Sequence, residues 1–309
     1  DVNNSGSASN GQLLSGSGFK LTASTWNSSE LSTFRSAICP TPSTSGGSDC
    51  ETRMLWLLGK SAVDADTDIN TNQRWSVNDV LHSSPVVITY GGTDTNNDGN
   101  VDKFFDKIVY GTNDGSLHFV NGLTGVEEWR YMPSDFWGQQ QQLFTNAEGS
   151  HVYGLDVTPT LQVIDADDDG NITIAKGDKV RAFMASRRGG SGIYALDLTH
   201  DIPISNETFA PRFLWRIRGG SSADFPRLGQ TWSKPVIAEV EIDNGTTIEL
   251  KDVLIFGGGY DASLDNPNTY SVSDHGGAPF MGNAIYIVDP VNGELLLAIS
   301  GSPGGADIV

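Results

Sequence analysis

Ser84-Pro85-Val86-Val87 begins a pattern of strands and turns that the chain repeats twice, from Thr158-Pro159-Thr160-Leu161 and from Lys234-Pro235-Val236-Ile237. Pro85, Pro159 and Pro235 lie 74 and 76 residues apart, a period that holds one complete supersecondary unit. Each start is followed by a polar insertion and then by a strand-like segment: Lys107-Ile108-Val109-Tyr110-Gly111, Val180-Arg181-Ala182-Phe183-Met184 and Asp252-Val253-Leu254-Ile255-Phe256-Gly257. A Gly-rich turn leads into the next: Gly115-Ser116-Leu117-His118-Phe119-Val120, Gly192-Ile193-Tyr194-Ala195-Leu196-Asp197 and Asn283-Ala284-Ile285-Tyr286-Ile287-Val288-Asp289. The units close on Glu127-Glu128-Trp129-Arg130-Tyr131, Arg212-Phe213-Leu214-Trp215-Arg216 and Gly293-Glu294-Leu295-Leu296-Leu297. Four short strands per unit, joined by tight turns, is the composition of a propeller blade. The expected fold is all-β, a modified β-propeller over residues 54–309, with clear repeats at about 84–133, 153–220 and 229–300. Three blades do not close a propeller, which needs roughly four or more. Residues 54–83 can supply part of another, and a further strand starts at Ala306-Asp307-Ile308-Val309. The propeller is therefore expected to be incomplete, truncated at its C-terminus and part of a larger protein.

The insertions after the first strand of each unit carry the candidate chemistry. In Asp94-Thr95-Asn96-Asn97-Asp98-Gly99-Asn100-Val101-Asp102, oxygen-bearing side chains fall at positions 1, 3, 5 and 9 and glycine at position 6. Asn100, at position 7, can offer its backbone carbonyl. Alternate residues pointing inward around a Gly turn is how a short loop wraps a hard cation. Position 12, where a helix–loop–helix site places a bidentate Glu, is Phe105, so Asp102 has to close the cage. The second unit has the same device in the same place, Asp165-Ala166-Asp167-Asp168-Asp169-Gly170-Asn171-Ile172-Thr173. Here Asp165, Asp167 and Asp169 fill positions 1, 3 and 5, Asn171 is at 7, and Thr173 is a weaker closing ligand that Asp168 or Asp178 could reinforce. Glu241-Ile242-Asp243-Asn244-Gly245 in the third unit is too little for a cage. Calcium is the expected ion, one in each of the two loops. The plain alternative is a pair of polar Asn/Asp/Gly turns. Asp64, Asp66, Asp68, Asn70 and Asn72 also alternate, but Ile69 replaces the turn glycine, and a third ion site there stays open.

With 309 residues the chain can bury a sizeable core. Its 36 glycines and 18% charged residues fit a turn-rich β protein. A formal net charge of −19 argues against sequence-independent binding to nucleic acid or anionic membranes. No apolar run is long enough for a membrane span. Residues 1–53 are rich in Ser, Asn and Gly and read as an irregular lead-in. Cys39 and Cys50 lack metal-type spacing, and we expect them to form a disulfide, which implies an oxidising compartment. Met54-Leu55-Trp56-Leu57-Leu58 is helix or buried strand; periodicity does not decide.

Several segments resemble the C-terminal propeller of the PilY/PilC family, large proteins associated with type IV pilus tips. They are Asp79-Val80-Leu81-His82-Ser83-Ser84-Pro85-Val86-Val87, Tyr110-Gly111-Thr112-Asn113-Asp114-Gly115-Ser116-Leu117-His118-Phe119, Gly189-Gly190-Ser191-Gly192-Ile193-Tyr194-Ala195-Leu196-Asp197 and Leu228-Gly229-Gln230-Thr231-Trp232-Ser233-Lys234-Pro235. The resemblance implies a secreted, surface-exposed protein, not an enzyme. It would promote pilus assembly, oppose retraction and contribute to adhesion and twitching motility. Its implied partners are type IV pilins, the pilus tip complex and a host or abiotic surface. In that family a calcium loop of this spacing regulates activity, a role that Asp94, Asn96, Asp98, Asn100 and Asp102 inherit by position. The blades expected after residue 300 and an N-terminal von Willebrand A-type region are missing from this chain, and it contains no Arg-Gly-Asp tripeptide. The second loop rests on spacing alone.

The five histidines are scattered and none neighbours a nucleophile motif, so each reads as a hydrogen-bonding residue. Trp129 and Trp215 recur at one point of their units and read as core. Gly257-Gly258-Gly259 lacks the helix and lysine of a phosphate loop, and Arg187-Arg188 reads as a Gly-flanked turn. Two rival functions remain at this stage. One is a propeller dehydrogenase using pyrroloquinoline quinone, which shares the G-x-N-D-G-x-L pattern and needs calcium. The other is a generic calcium-stiffened extracellular adhesin. The dehydrogenase would call for an adjacent cysteine pair, which this chain lacks.

Overall fold

A computed structural model describes residues 11–13, 32–39, 48–57, 77–146, 149, 151–201, 210–220, 223–243, 246–265 and 281–300. Residues 64–72, the open third ion site, lie outside them, as do most of the lead-in and residues 301–309.

Each repeat folds into a four-stranded antiparallel sheet whose strands follow chain order. The first sheet contains β2 (Val86–Thr93), β3 (Lys103–Gly111), β4 (Leu117–Asn121) and β5 (Glu127–Pro133). The second contains β6 (Thr160–Ile164), β7 (Lys179–Ala185), β8 (Gly192–Asp197) and β9 (Arg212–Arg218). The third contains β10 (Val236–Asp243), β11 (Ile248–Gly258), β12 (Gly282–Val288) and β13 (Leu295–Ser300). The twelve strands coincide with the segments read as strands in the sequence, and the prolines sit just before the first strand of each sheet, where a missing N–H is tolerated.

The lead-in is less irregular than its composition suggests. Strand β1 (Gly11–Leu13) adds a fifth strand to the outer edge of the first sheet, pairing with Tyr131–Pro133 of β5. Helices α1 (Ser32–Ile38) and α2 (Ser48–Leu57) are joined by the Cys39–Cys50 disulfide, with Cα atoms 5.3 Å apart. The apolar run from Met54 therefore enters as helix. A third short helix, α3 (Gln140–Thr145), lies between the first two sheets in sequence.

The sheets pack face to face, which the middle sheet makes plain. Alternate side chains of a strand point to opposite faces. Val180, Ala182, Met184, Tyr194 and Leu196 join a core with Tyr90, Val109, Phe119 and Trp129 of the first sheet. Phe183, Ala185, Ile193 and Ala195 join a second core with Leu254, Phe256 and Tyr286 of the third. Strands β7 and β8 are thus buried on both faces and read as apolar runs, not alternations. Trp129 stacks on Phe119 at 4.6 Å, and Trp215 donates its indole N–H to Pro290 of the third unit at 3.0 Å. Both are core residues, as their recurrence implied.

Candidate cation-binding loops

Both nine-residue segments leave the first strand of a sheet and return to the second, and their backbones close in the same way. In the first, the position-1 carboxylate of Asp94 accepts the N–H of Asp98 (3.3 Å) and of Gly99 (2.7 Å). In the second, Asp165 accepts the N–H of Asp169 (3.3 Å) and of Gly170 (2.7 Å). At position 5, Asp98 accepts the N–H of Asn100 and Asp169 that of Asn171, each at 2.8 Å. Position 4 is left-handed in both, with φ 59° at Asn97 and 54° at Asp168, and Gly99 and Gly170 follow at φ 90° and 77°. Asn, Asp and Gly are the residues that tolerate such a turn.

These hydrogen bonds set the electrostatics of the exposed first loop. The Gly99 N–H holds the Asp94 carboxyl below its ordinary value of 3.8. The backbone and side-chain amides of Asn100 do the same for Asp98, and the hydroxyl and N–H of Thr95 for Asp102. The loop therefore stays fully ionised at neutral pH.

The loops differ in how they close. In the first, Asp102 accepts the N–H of Thr95 (3.1 Å) and its hydroxyl, while its own N–H reaches Thr93 (3.2 Å). In the second, the equivalent contact to position 2 comes from Asp178, which accepts the N–H of Ala166 (2.8 Å). Asp178 also accepts the N–H of Thr173 (2.7 Å) and is fully buried. A short 3-10 turn, Ile174–Lys176, carries the chain from Thr173 to Asp178. Position 9 thus contributes its backbone, and a carboxylate five residues further on takes the place that Asp102 occupies in the first loop. Asp165, Asp167 and Asp178 each bring one oxygen within 4.8 Å of the others, and among the described residues they form the one group of three able to share an ion.

Lys176 enters the same loop. Its ammonium lies 2.7 Å from Asp167 and also pairs with Asp169. Asp167 and then Asp169 raise the lysine pKa, and Lys176 together with the Asn171 N–H lowers that of Asp169. In spacing Lys176 was invisible, because it lies outside the nine-residue pattern.

The second loop is anchored to the neighbouring sheet, whereas the first is half-buried at Asp94 and exposed from Thr95 to Asp102. Asn171 accepts the Gly92 N–H of β2 at 3.3 Å, and Ile172 donates its N–H to Tyr90 of β2 at 2.9 Å. The Ile172 side chain is 2% exposed. Gly92 is two residues from Asp94, so the two loops meet along one strand. The donor set of both is hard oxygen with little else, which fits calcium far better than a soft-ligand metal. Asp94, Asn96, Asp98, Asn100 and Asp102 would hold an ion in the first loop, and Asp165, Asp167, Asp169, Asn171 and Asp178 in the second. Bound calcium would supply positive charge and a rigid tie between these oxygens.

No protein-family model matches the chain. It is 27% identical over 239 residues, 72% of its length, to the type IV pilus biogenesis factor PilY1 of Pseudomonas aeruginosa strain UCBPP-PA14. It is 31% identical over 160 residues, 52% of its length, to a PilY1 homologue of Xylella fastidiosa strain Temecula1. It spans 19% of the first protein and 11% of the second. The crystal structure of the P. aeruginosa PilY1 C-terminal domain aligns with a TM-score of 0.39 and 21% identity, over 63% of this chain and 30% of that one.

Proposed function

We infer that this chain, which these sequence relationships support as PilY1-type, is a propeller region of a type IV pilus biogenesis factor. The observation that carries the reading is the similarity to two named PilY1 proteins over 72% and 52% of the chain. The three sheets are taken as consecutive blades, and the full protein as secreted and pilus-associated. Among the described residues no helix is long and apolar enough to cross a membrane.

The mechanism proposed is a calcium-set surface. An ion held by Asp94–Asp102 fixes the first insertion, and one held around Asp165, Asp167 and Asp178 fixes the second. The second insertion already bridges two sheets through Asn171 and Ile172, so ordering it also orders the strand that leads into Asp94. The ordered surface would dock pilin subunits, favour extension over retraction and support adhesion and twitching motility. Lacking a bidentate Glu, the first loop belongs at the weak end of the range of such loops, which runs roughly from nanomolar to millimolar.

Calorimetric calcium titration of metal-stripped protein, with Asp98→Ala and Asp169→Ala, tests the ion sites. Two sites in the wild type and one in each variant are expected. Zero sites in the wild type would sink the calcium mechanism and leave the pilus reading standing on similarity. Twitching and pilin co-purification in cells carrying the same variants in the full-length protein test the pilus role separately.

A further inference from the structure

At the sheet ends opposite the acidic loops lies a cleft of about 580 Å³ lined by Tyr153, Arg188, Gln230, Trp232, Tyr260 and Asp265. Its walls come from four places: the link between the first two sheets, the β7–β8 turn, the link between the second and third sheets, and the exit from β11. Backbone hydrogen bonds hold these together. Gln230 and Tyr260 exchange N–H and carbonyl at 2.8 Å each way, and Arg187 and Thr231 donate to Thr231 and Gly190 at 3.1 Å each. A cavity of this size, framed by cross-braced backbone, suits a small ligand.

The charges are unusual for this protein. In a chain with 38 acidic and 19 basic residues, neither Arg187 nor Arg188 pairs with a carboxylate among the described residues. Both guanidinium groups instead lie over Trp232, at 4.5 and 5.3 Å from the ring, and Arg188 also covers Tyr153 at 5.3 Å and donates to its hydroxyl at 3.1 Å. Arg187 adopts a left-handed backbone with φ 52°, a conformation that is strained for a non-glycine residue and that clusters at functional sites. At the other end, Asp265 accepts the Tyr260 hydroxyl at 2.6 Å, and Trp232 lies 5.6 Å from Tyr260, linking the two ends. Guanidinium forks without a protein carboxylate are poised for an external one. Aromatic rings beside a carboxamide and a carboxylate suit a ring that is apolar on its face and hydroxylated at its edge.

We propose that this cleft binds an acidic sugar residue, its carboxylate on Arg188, its ring against Trp232 and Tyr260, and its hydroxyls on Gln230 and Asp265. A peptide carboxylate is the lesser fit, because among the described residues the cleft is lined by side chains, and the backbone beside them, Gln230 with Tyr260 and Thr231 with Gly190, is already hydrogen-bonded. The site is separate from the calcium loops.

Trp232 provides the readout. Tryptophan fluorescence and calorimetry on this chain would be followed with glucuronic acid, N-acetylneuraminic acid, glucose and a short peptide with a free C-terminus. Saturable binding of an acidic sugar, weakened about tenfold or more by Arg188→Ala, is expected from loss of a charge-assisted hydrogen-bond pair. Trp232→Ala should abolish it, whereas Asp98→Ala should leave it unchanged. Arg188 is exposed on a turn, so its variant keeps the fold, checked by circular dichroism. Equal binding of glucose, tighter binding of the peptide, or no saturable binding of either acidic sugar would each overturn the proposal.

Discussion

Asp178 is fully buried and accepts two backbone N–H groups, yet keeps an oxygen within reach of Asp165 and Asp167. Thr173 gives its N–H to that carboxylate. If the second loop takes calcium, Asp178→Asn should weaken it at least tenfold, because it replaces a charged acceptor with a neutral amide. Thr173→Val should change affinity about twofold or less. Calcium calorimetry on both variants decides, and the reverse ranking would return the closing role to position 9. Lys176 argues the other way: its ammonium already neutralises Asp167 and Asp169, so an incoming ion must displace it. Lys176→Met should therefore tighten calcium binding at the second loop and leave the first unaltered; a loss of affinity would mean the lysine shapes the loop rather than competing for it. The sign of pH dependence follows from the depressed carboxyls of Asp94, Asp98 and Asp102. Groups whose pKa falls on folding are ionised, and contribute, above their unfolded values and lose the contribution as pH drops through the folded ones. Uptake by the first loop should therefore stay flat from neutral pH down to the ordinary carboxylate value of 3.8 and fail only below it. A titration series across that range reads this directly, and an inflection near 6 would implicate a histidine instead. At this scale the sequence showed positions 1 to 7 of both loops, since side-chain type and the Gly turn define them. It did not single out Asp178, because an intervening 3-10 turn shifts the closing residue beyond the regular spacing.

Between elements, the second loop acts as a clamp. Ile172 leaves position 8 to enter the core shared by the first two sheets, while its N–H and the Asn171 amide hold β2. Truncating a buried isoleucine to alanine costs about 2–5 kcal/mol. Ile172→Ala should lower the thermal midpoint by several degrees, whereas Val101→Ala, at the same position of the exposed first loop and 48% exposed, should lower it little. Differential scanning calorimetry compares them, and equal shifts would show that the clamp carries no special stability. The strands were legible because each sheet repeats one pattern of Pro start, Gly turn and apolar run. The extra strand Gly11–Leu13 was not, since three residues show no periodicity and their pairing is imposed by the free edge of β5. The aromatic cleft was likewise scattered along the chain, its residues gathered by turns and links from the second and third units.

Across the whole molecule, the two acidic loops lie on one side of the sheets and meet through Gly92, in a chain of net charge −19. Such charge density opposes compaction, and bound divalent cations would offset part of it. An ion that binds the folded chain and not the unfolded one stabilises by mass action, with a midpoint that rises with ion concentration. If the loops hold calcium, removing it should therefore lower the thermal midpoint. Exposed charges more than a Debye length apart, roughly 10 Å at 0.1 M salt, are screened, so the drop should be larger at low ionic strength than in 1 M sodium chloride. A midpoint measured with and without chelator at both salt levels checks this, alongside the Asp98→Ala, Asp169→Ala double variant. Two outcomes are diagnostic. A chelator effect that persists in the double variant would place the ion elsewhere. An effect indifferent to salt would mean that the ion works by tying the loops to their strands, through contacts such as Asn171 on Gly92, and not by relieving repulsion.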